Sequence, residues 1–254
     1  MLKELTLLTT DNQKIRINHY NVGTDSVVII APGWFMTKDS DAFCQLAEFF
    51  ASTFDVITLD FRGHGKSSGL YTFTAKENLD IAAVVEYARR QYKNINLIGF
   101  SLGAAIVAIF AATDKMLNKL ILVSPPTDFS KIENQIWKKE AWKETFEKFE
   151  LSRFLSIRPS LKPQKKIKPI DIINKIEVPT LFIAGKLDPT VHYWHTKLLY
   201  QKALCSKKFK LFEKGFHAED LFLHYKKEFG EICINWLTNS EYSKQNVVTY
   251  LKKC

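Results

Sequence analysis

The run Gly99-Phe100-Ser101-Leu102-Gly103 sets a single hydroxyl between two glycines. The apolar stretch NINLI leads into it and LGAAIVAIFAA comes after, so Ser101 falls where a buried strand turns into a helix. A nucleophile on so tight a turn needs a strained backbone, and flanking glycines leave room for the strand and helix that approach it. The helix that begins there turns its unpaired N–H groups and positive end toward the serine oxygen, and toward any oxyanion formed beside it. Those are the requirements of nucleophilic catalysis by a serine.

Other candidate chemistries fail on spacing. Gly65-Lys66-Ser67 ends like a phosphate-binding loop, but that loop needs a glycine five positions before Gly65, where Asp60 stands. Cys44, Cys205, Cys233 and Cys254 form no CxxC pair and no metal-like spacing, which fits a reducing compartment and argues against zinc.

The elements that must position Ser101 alternate between short β-branched runs and longer helical stretches, the pattern of a parallel sheet covered by helices. ELTLLTT and KIRINHYN, separated by Asp11-Asn12, predict an antiparallel hairpin. Strands are then expected at SVVIIA (26–31), FDVITLD (54–60), NINLIGF (ending at Phe100), KLILVS (119–124), PTLFIAG (179–185) and KKFKLFE (207–213). Most are continuously apolar, as strands buried on both faces should be. Helices are expected at about 39–52, 76–91, 102–113, 191–204 and 219–238, the third apolar nearly all round and therefore deep against the sheet. Residues 125–178 break the rhythm with an aromatic-rich helical pattern and then a lysine- and proline-rich connector, which predicts a lid inserted into a core made of 1–124 and 179–254.

On these features the segment around Ser101 resembles the nucleophile elbow of the α/β-hydrolase fold. The resemblance implies an eight-stranded, mostly parallel sheet with helices on both faces, and a triad in the chain order serine, acid, histidine. The acid it implies is Asp188, in the turn of PTLFIAGKLDPTV just beyond a strand, with Asp128 in SPPTDF as the competing position used by some members. Of six histidines only His217, in KLFEKGFHAED, lies in a loop between the last strand and the final helix, where the family carries its base. The resemblance also implies two oxyanion donors, the N–H of Leu102 and that of Trp34 in APGWFMTKD. Here Pro32 stands where the family commonly has histidine, which alters the support of that loop. The Trp34 indole has two open uses, as a wall of the acyl pocket or as packing. Arg62-Gly63-His64-Gly65-Lys66-Ser67 resembles a turn common in lipase- and peptidase-like members, where it is chiefly structural.

The resemblance implies a serine esterase similar to monoglyceride-lipase-like and esterase-like members, acting on a small-molecule ester of small to medium acyl chain. It implies no metal and no organic cofactor. A thioesterase, an acyltransferase or a serine aminopeptidase would use the same three residues, and a non-catalytic ligand-binding member of the fold is the reading from another class. Trp137, Trp142, Phe146, Phe149 and Phe154 recur at helix-like intervals in the expected lid, either lining the pocket or packing the lid down. The lysines of KPQKKIK (162–168) are either a solvated connector or an attraction for an anionic substrate or a membrane surface.

The formal charge of +9 raises an anionic partner, yet only six of the 36 basic residues are arginine and the lysines are spread along the chain. Dispersed lysine reads as a solvated surface, so no nucleic-acid partner is expected. The opening MLKELTLLTTDNQK lacks the apolar middle of a secretory signal, and AAIVAIFAA (104–112) is about half of the roughly 20 residues that span a bilayer. The expectation is a cytoplasmic protein with no stable membrane insertion. Residues 239–254 are open between an extra helix and a tail, and no oligomeric state is implied.

Overall fold

The computed structural model describes residues 1–133, 156–162 and 164–240. Eight strands form one sheet in the order β1-β2-β4-β3-β5-β6-β7-β8. They are β1 (Leu2–Leu8), β2 (Lys14–Tyr20), β3 (Ser26–Ala31), β4 (Asp55–Leu59), β5 (Asn94–Phe100), β6 (Lys119–Val123), β7 (Thr180–Gly185) and β8 (Lys207–Phe212). β2 runs antiparallel to both β1 and β4, and every other neighbouring pair is parallel. The helices are α1 (Asp41–Phe50), α2 (Asn78–Arg89), α3 (Leu102–Ala111), the one-turn α4 (Pro169–Ile172), α5 (Tyr193–Lys202), α6 (Asp220–His224) and α7 (Lys226–Thr238). This is the expected α/β-hydrolase architecture.

The continuous apolar strands feed two cores because successive side chains leave a strand on opposite faces. In β3, Val27, Ile29 and Ala31 join the core under α2, α3 and α5, while Val28 and Ile30 join the one under α1 and α7. β5 and β6 divide in the same way, with Leu97, Leu120 and Leu122 on the first face and Ile98, Phe100, Ile121 and Val123 on the second. All ten residues of α3 are buried, as a helix apolar all round must be.

Two boundaries differ from the sequence reading for local reasons. The hairpin turns two residues early because Thr9 belongs to the turn: its hydroxyl donates to Asp11 Oδ1 at 2.6 Å and accepts the Gln13 N–H at 2.8 Å. The expected helix 219–238 is broken at Tyr225 (φ −124°, ψ 38°), whose ring packs on Phe212 at 5.3 Å. The break frees α7 to lay Gly230 against the Phe49 ring of α1, where a Cβ would lie 2.1 Å from Phe49 Cζ.

Of the expected lid, residues 134–155 lie outside the described residues, and with them Trp137, Trp142, Phe146, Phe149 and Phe154. Its described parts are two legs, 125–133 with a short 3-10 turn at Phe129–Lys131, and 156–162 with 164–178, the latter carrying α4. Residues 241–254 are likewise outside.

A buried ionic knot ties the hairpin turn to the loop after β4 and to α2. The Arg62 guanidinium reaches Asp80 Oδ1 at 2.7 Å and Asp11 Oδ2 at 2.7 Å, while the Arg62 backbone N–H donates to Asp80 Oδ2 at 2.9 Å. Asp80 is fully buried and Asp11 partly exposed. Removing one member of a buried pair strands the other charge in low dielectric. Arg62→Ala should therefore lower the unfolding free energy by about 3–5 kcal/mol in urea titration, and Asp11→Ala by much less.

Candidate active site

Ser101 is the link between β5 and α3, with φ 52° and ψ −120°, a backbone conformation that non-glycine residues rarely adopt. Its neighbours hold it there. A Cβ on Gly99 would lie 2.5 Å from Ala104 Cα, and one on Gly103 would lie 2.2 Å from the Pro32 carbonyl oxygen. The two glycines thus let α3 close onto β5 and onto the end of β3 at once. The Ser101 N–H donates to the Val123 carbonyl at the end of β6, 2.8 Å away.

Asp188 and His217 arrive on the loops after β7 and β8. Those loops interlock at Gly185, where a Cβ would lie 2.2 Å from the Phe216 carbonyl, and the Leu187 N–H donates to the Gly215 carbonyl at 2.9 Å. Asp188 is buried, and its Oδ1 accepts the N–H groups of Thr190 (2.9 Å) and Val191 (2.8 Å). That fixes the carboxylate plane and leaves Oδ2 facing His217 Nδ1 at 2.7 Å. The other ring nitrogen, His217 Nε2, lies 2.9 Å from Ser101 Oγ. With Nδ1–H donated to the carboxylate, Nε2 is the nitrogen that accepts the serine proton. The structure therefore brings Ser101, His217 and Asp188 into one hydrogen-bonded line.

The two expected oxyanion donors flank that line. Leu102 is the first residue of α3, so its N–H has no partner four residues back within the helix. Gly33 lies against Ser101, a Cβ there meeting Ser101 Cβ at 3.2 Å, and carries Trp34 next to it. The indole of Trp34 is half-buried and packs on Phe35 (4.7 Å), His64 (5.2 Å), Tyr71 (4.9 Å) and Phe73 (4.7 Å).

Two supporting residues were not legible in the sequence. Ser124 comes directly after β6 with φ 49°, is buried, and its hydroxyl accepts the N–H of Ala218, the residue after His217, at 3.3 Å. Asp60 directly follows β4 and accepts the N–H groups of Lys38 (2.8 Å) and Lys66 (3.0 Å), so one buried carboxylate braces the loop after β3 and the loop after β4. Burial pushes the Asp60 pKa up to about 6 despite those two donors.

The remaining candidates are engaged elsewhere. Asp128 caps the turn at Phe129, accepting the Ser130 N–H at 3.0 Å, and pairs with Lys168 at 2.8 Å. Burial works against its charge, yet Lys168 and Ser130 hold its pKa below the usual value. His19 bridges the hydroxyls of Tyr87 and Tyr92, and His195 Nδ1 faces Thr127 Oγ1 at 2.7 Å. His64 is buried edge-on to Tyr71 and Trp34, with its pKa lowered to about 4 by burial. His192 and His224 are joined to Glu133 and to the Asp220 carbonyl. Among the described residues no group of three His, Cys, Asp or Glu side chains is arranged to hold a metal, and no helix is long and apolar enough to cross a membrane.

Residues 26–144 match the family model described as alpha/beta hydrolase fold. No curated protein sequence matches the chain. Among solved structures it is similar to the esterase Pf2001 of Pyrococcus furiosus, at 23% identity and a TM-score of 0.75, covering 93% of this chain and 89% of that one. It is also similar to DcsB, solved in complex with its substrate analogue (18% identity, TM-score 0.79, 93% and 99% covered). A third is an esterase from Exiguobacterium antarcticum (17% identity, TM-score 0.70, 93% and 100% covered).

The Asp60 carboxyl has a folded pKa of about 6 against an ordinary value of 3.8, so between those values the folded state holds more of the proton than the unfolded chain. Its contribution to stability therefore rises as pH falls through that window, by at most about 1.4 kcal/mol per pH unit. Urea unfolding at pH 7 and pH 5 should show the stability of the parent relative to Asp60→Asn increasing at the lower pH.

Proposed function

The chain is an α/β-hydrolase by fold, and on that premise we propose that it is a serine hydrolase of carboxylic esters with small to medium acyl chains. The observation that carries the reading is the unbroken relay from Ser101 Oγ to His217 Nε2 (2.9 Å) and from His217 Nδ1 to Asp188 Oδ2 (2.7 Å), set at the N-terminus of α3.

In the first step His217 Nε2 takes the Ser101 proton as Oγ attacks the ester carbonyl. Negative charge grows on the carbonyl oxygen, where the N–H groups of Leu102 and Trp34 receive it. Asp188 stabilises the imidazolium and keeps Nδ1 protonated, so the proton leaves Nε2 for the departing alkoxide. In the second step a water gives its proton to His217 and attacks the acyl-serine. Collapse of that intermediate returns the proton to Ser101 and releases the acid. No step calls for a metal or an organic cofactor.

The half-buried rings of Trp34, Phe35, Phe73 and Phe129 support an apolar acyl site beside Ser101. The naming of two structural neighbours as esterases supports the same reaction class. Residues 125–178 serve in this reading as the lid that selects the ester.

A fluorophosphonate probe should label the parent on Ser101, and p-nitrophenyl esters of increasing acyl length should show turnover. Ser101→Ala should do neither, and labelling that persists in it overturns the assignment. Absence of labelling in the parent favours a ligand-binding member of the fold. Asp188→Asn should cost about 10³–10⁴ in kcat, the scale of losing the correct histidine tautomer, while Asp128→Asn stays near the parent. The reverse order would move the acid to the loop after β6.

A further inference from the structure

One lysine of the KPQKKIK connector is held in a way that a solvated linker does not need. The turn at Thr72–Thr74 puts two successive non-glycine residues at positive φ, Phe73 at 53° and Thr74 at 81°. Such backbone is unfavourable and persists only where its surroundings enforce it. Glu77, fully buried, enforces it here by accepting the Thr72 N–H (2.5 Å), the Thr72 hydroxyl (2.8 Å) and the Thr74 N–H (2.8 Å). The strained turn presents the Phe73 ring to Trp34 on one side, at 4.7 Å, and to Phe129 on the other, at 4.9 Å.

The connector is fastened over those rings at several points. The Thr74 hydroxyl donates to the Ile167 carbonyl at 2.8 Å, Lys168 pairs with Asp128 at 2.8 Å, and the Ile170 N–H donates to the Thr127 carbonyl at 3.1 Å. Immediately before these ties in the chain is Lys166, its ammonium 4.9 Å from the Phe73 ring centre and 5.0 Å from that of Phe129. The rings supply cation–π attraction but no countercharge. No carboxylate of the described residues pairs with Lys166, whereas the neighbouring Lys168 has Asp128. Lys166 is exposed, so its open side faces solvent. The aromatic surface thus starts at Trp34, next to the Gly33 that abuts Ser101, and ends at the Lys166 ammonium, which has no carboxylate partner among the described residues.

We propose that Lys166 is a specificity-determining residue for an anionic group. The preferred substrates are esters whose acyl chain lies along Trp34 and Phe73 and carries a carboxylate at its far end. The inference rests on the reading of Ser101 as the nucleophile and names the substrate class of that site. The apolar rings take the methylene chain, and the ammonium between Phe73 and Phe129 supplies a charge-assisted hydrogen bond to the terminal anion.

The test compares two matched series of methyl esters at low ionic strength, the monoesters of straight-chain dicarboxylic acids and the same esters with the far carboxylate converted to a primary amide. Kinetics are measured for the parent, Lys166→Gln and Lys166→Arg. The parent should show a lower KM for the acid than for the amide at one favoured chain length. Lys166→Gln should raise KM for the acid about tenfold with little change in kcat and no change for the amide, and Lys166→Arg should retain the preference. Salt at about 0.5 M, roughly three times physiological strength, should erode the acid preference of the parent alone. Equal loss for acid and amide in Lys166→Gln, or a parent without acid preference, overturns the anion role while leaving the esterase reading intact. A parent that hydrolyses neither series, nor p-nitrophenyl esters, overturns both.

Discussion

The close approach of α3 to the end of β3 is the contact on which the site depends. With a Cβ at Gly103 the helix would collide with the Pro32 carbonyl at 2.2 Å, and with one at Gly99 strand β5 would collide with the first turn of α3 at Ala104. Because neither side chain exists, the chain turns from strand to helix at Ser101 with φ 52° and leaves the hydroxyl at the head of the helix. The same approach brings Gly33, and so Trp34, against the serine. Ser101 and both proposed oxyanion donors are therefore set by one backbone packing constraint, with no need for flexible side chains to find them.

The rest of the sheet completes the arrangement from the other side. Val123 at the end of β6 takes the Ser101 N–H, and Ser124 beside it takes the Ala218 N–H, so one strand end registers Ser101 against the His217 loop. Gly185 locks the Asp188 loop onto that same loop. Strain at Ser101, Ser124 and Ala218, all at positive φ, is held by these close contacts and by the cores on both faces of the sheet. Asp60 and the Arg62–Asp80–Asp11 knot hold the surrounding loops with buried charge, a support that is costly to form and costly to break.

Legibility in the sequence depends on what each feature demands of residue type. The elbow is legible because only glycine fits at 99 and 103, and the strands because burial on both faces requires continuous apolar runs. The roles of Asp188 and His217 are legible only through resemblance: Asp188 is preferred to Asp128 for its Gly-x-x-Asp turn and its place after residues 125–178, and His217 for its place in the chain order. The structure separates those two by distance, one carboxylate at His217 and the other at Lys168. Ser124 is invisible, because a serine after a strand has no signature until its partner 94 residues away is placed. The break at Tyr225 is equally hidden, being imposed by packing on Phe212 within an amphipathic run that reads as one helix. Lys166 stands out from its fellow lysines only once Phe73 and Phe129 are beneath it.

The central claim is that Ser101 attacks at a site whose charge stabilisation is built into the backbone at α3 and after β3. A crystal structure of the enzyme carrying a covalent phosphonate on Ser101 tests it most directly. The account predicts a phosphonyl oxygen about 2.7–3.1 Å from the N–H groups of both Leu102 and Trp34, with His217 Nε2 still facing Oγ. A phosphonyl oxygen turned away from both N–H groups, or a phosphonate attached to another residue, would contradict it.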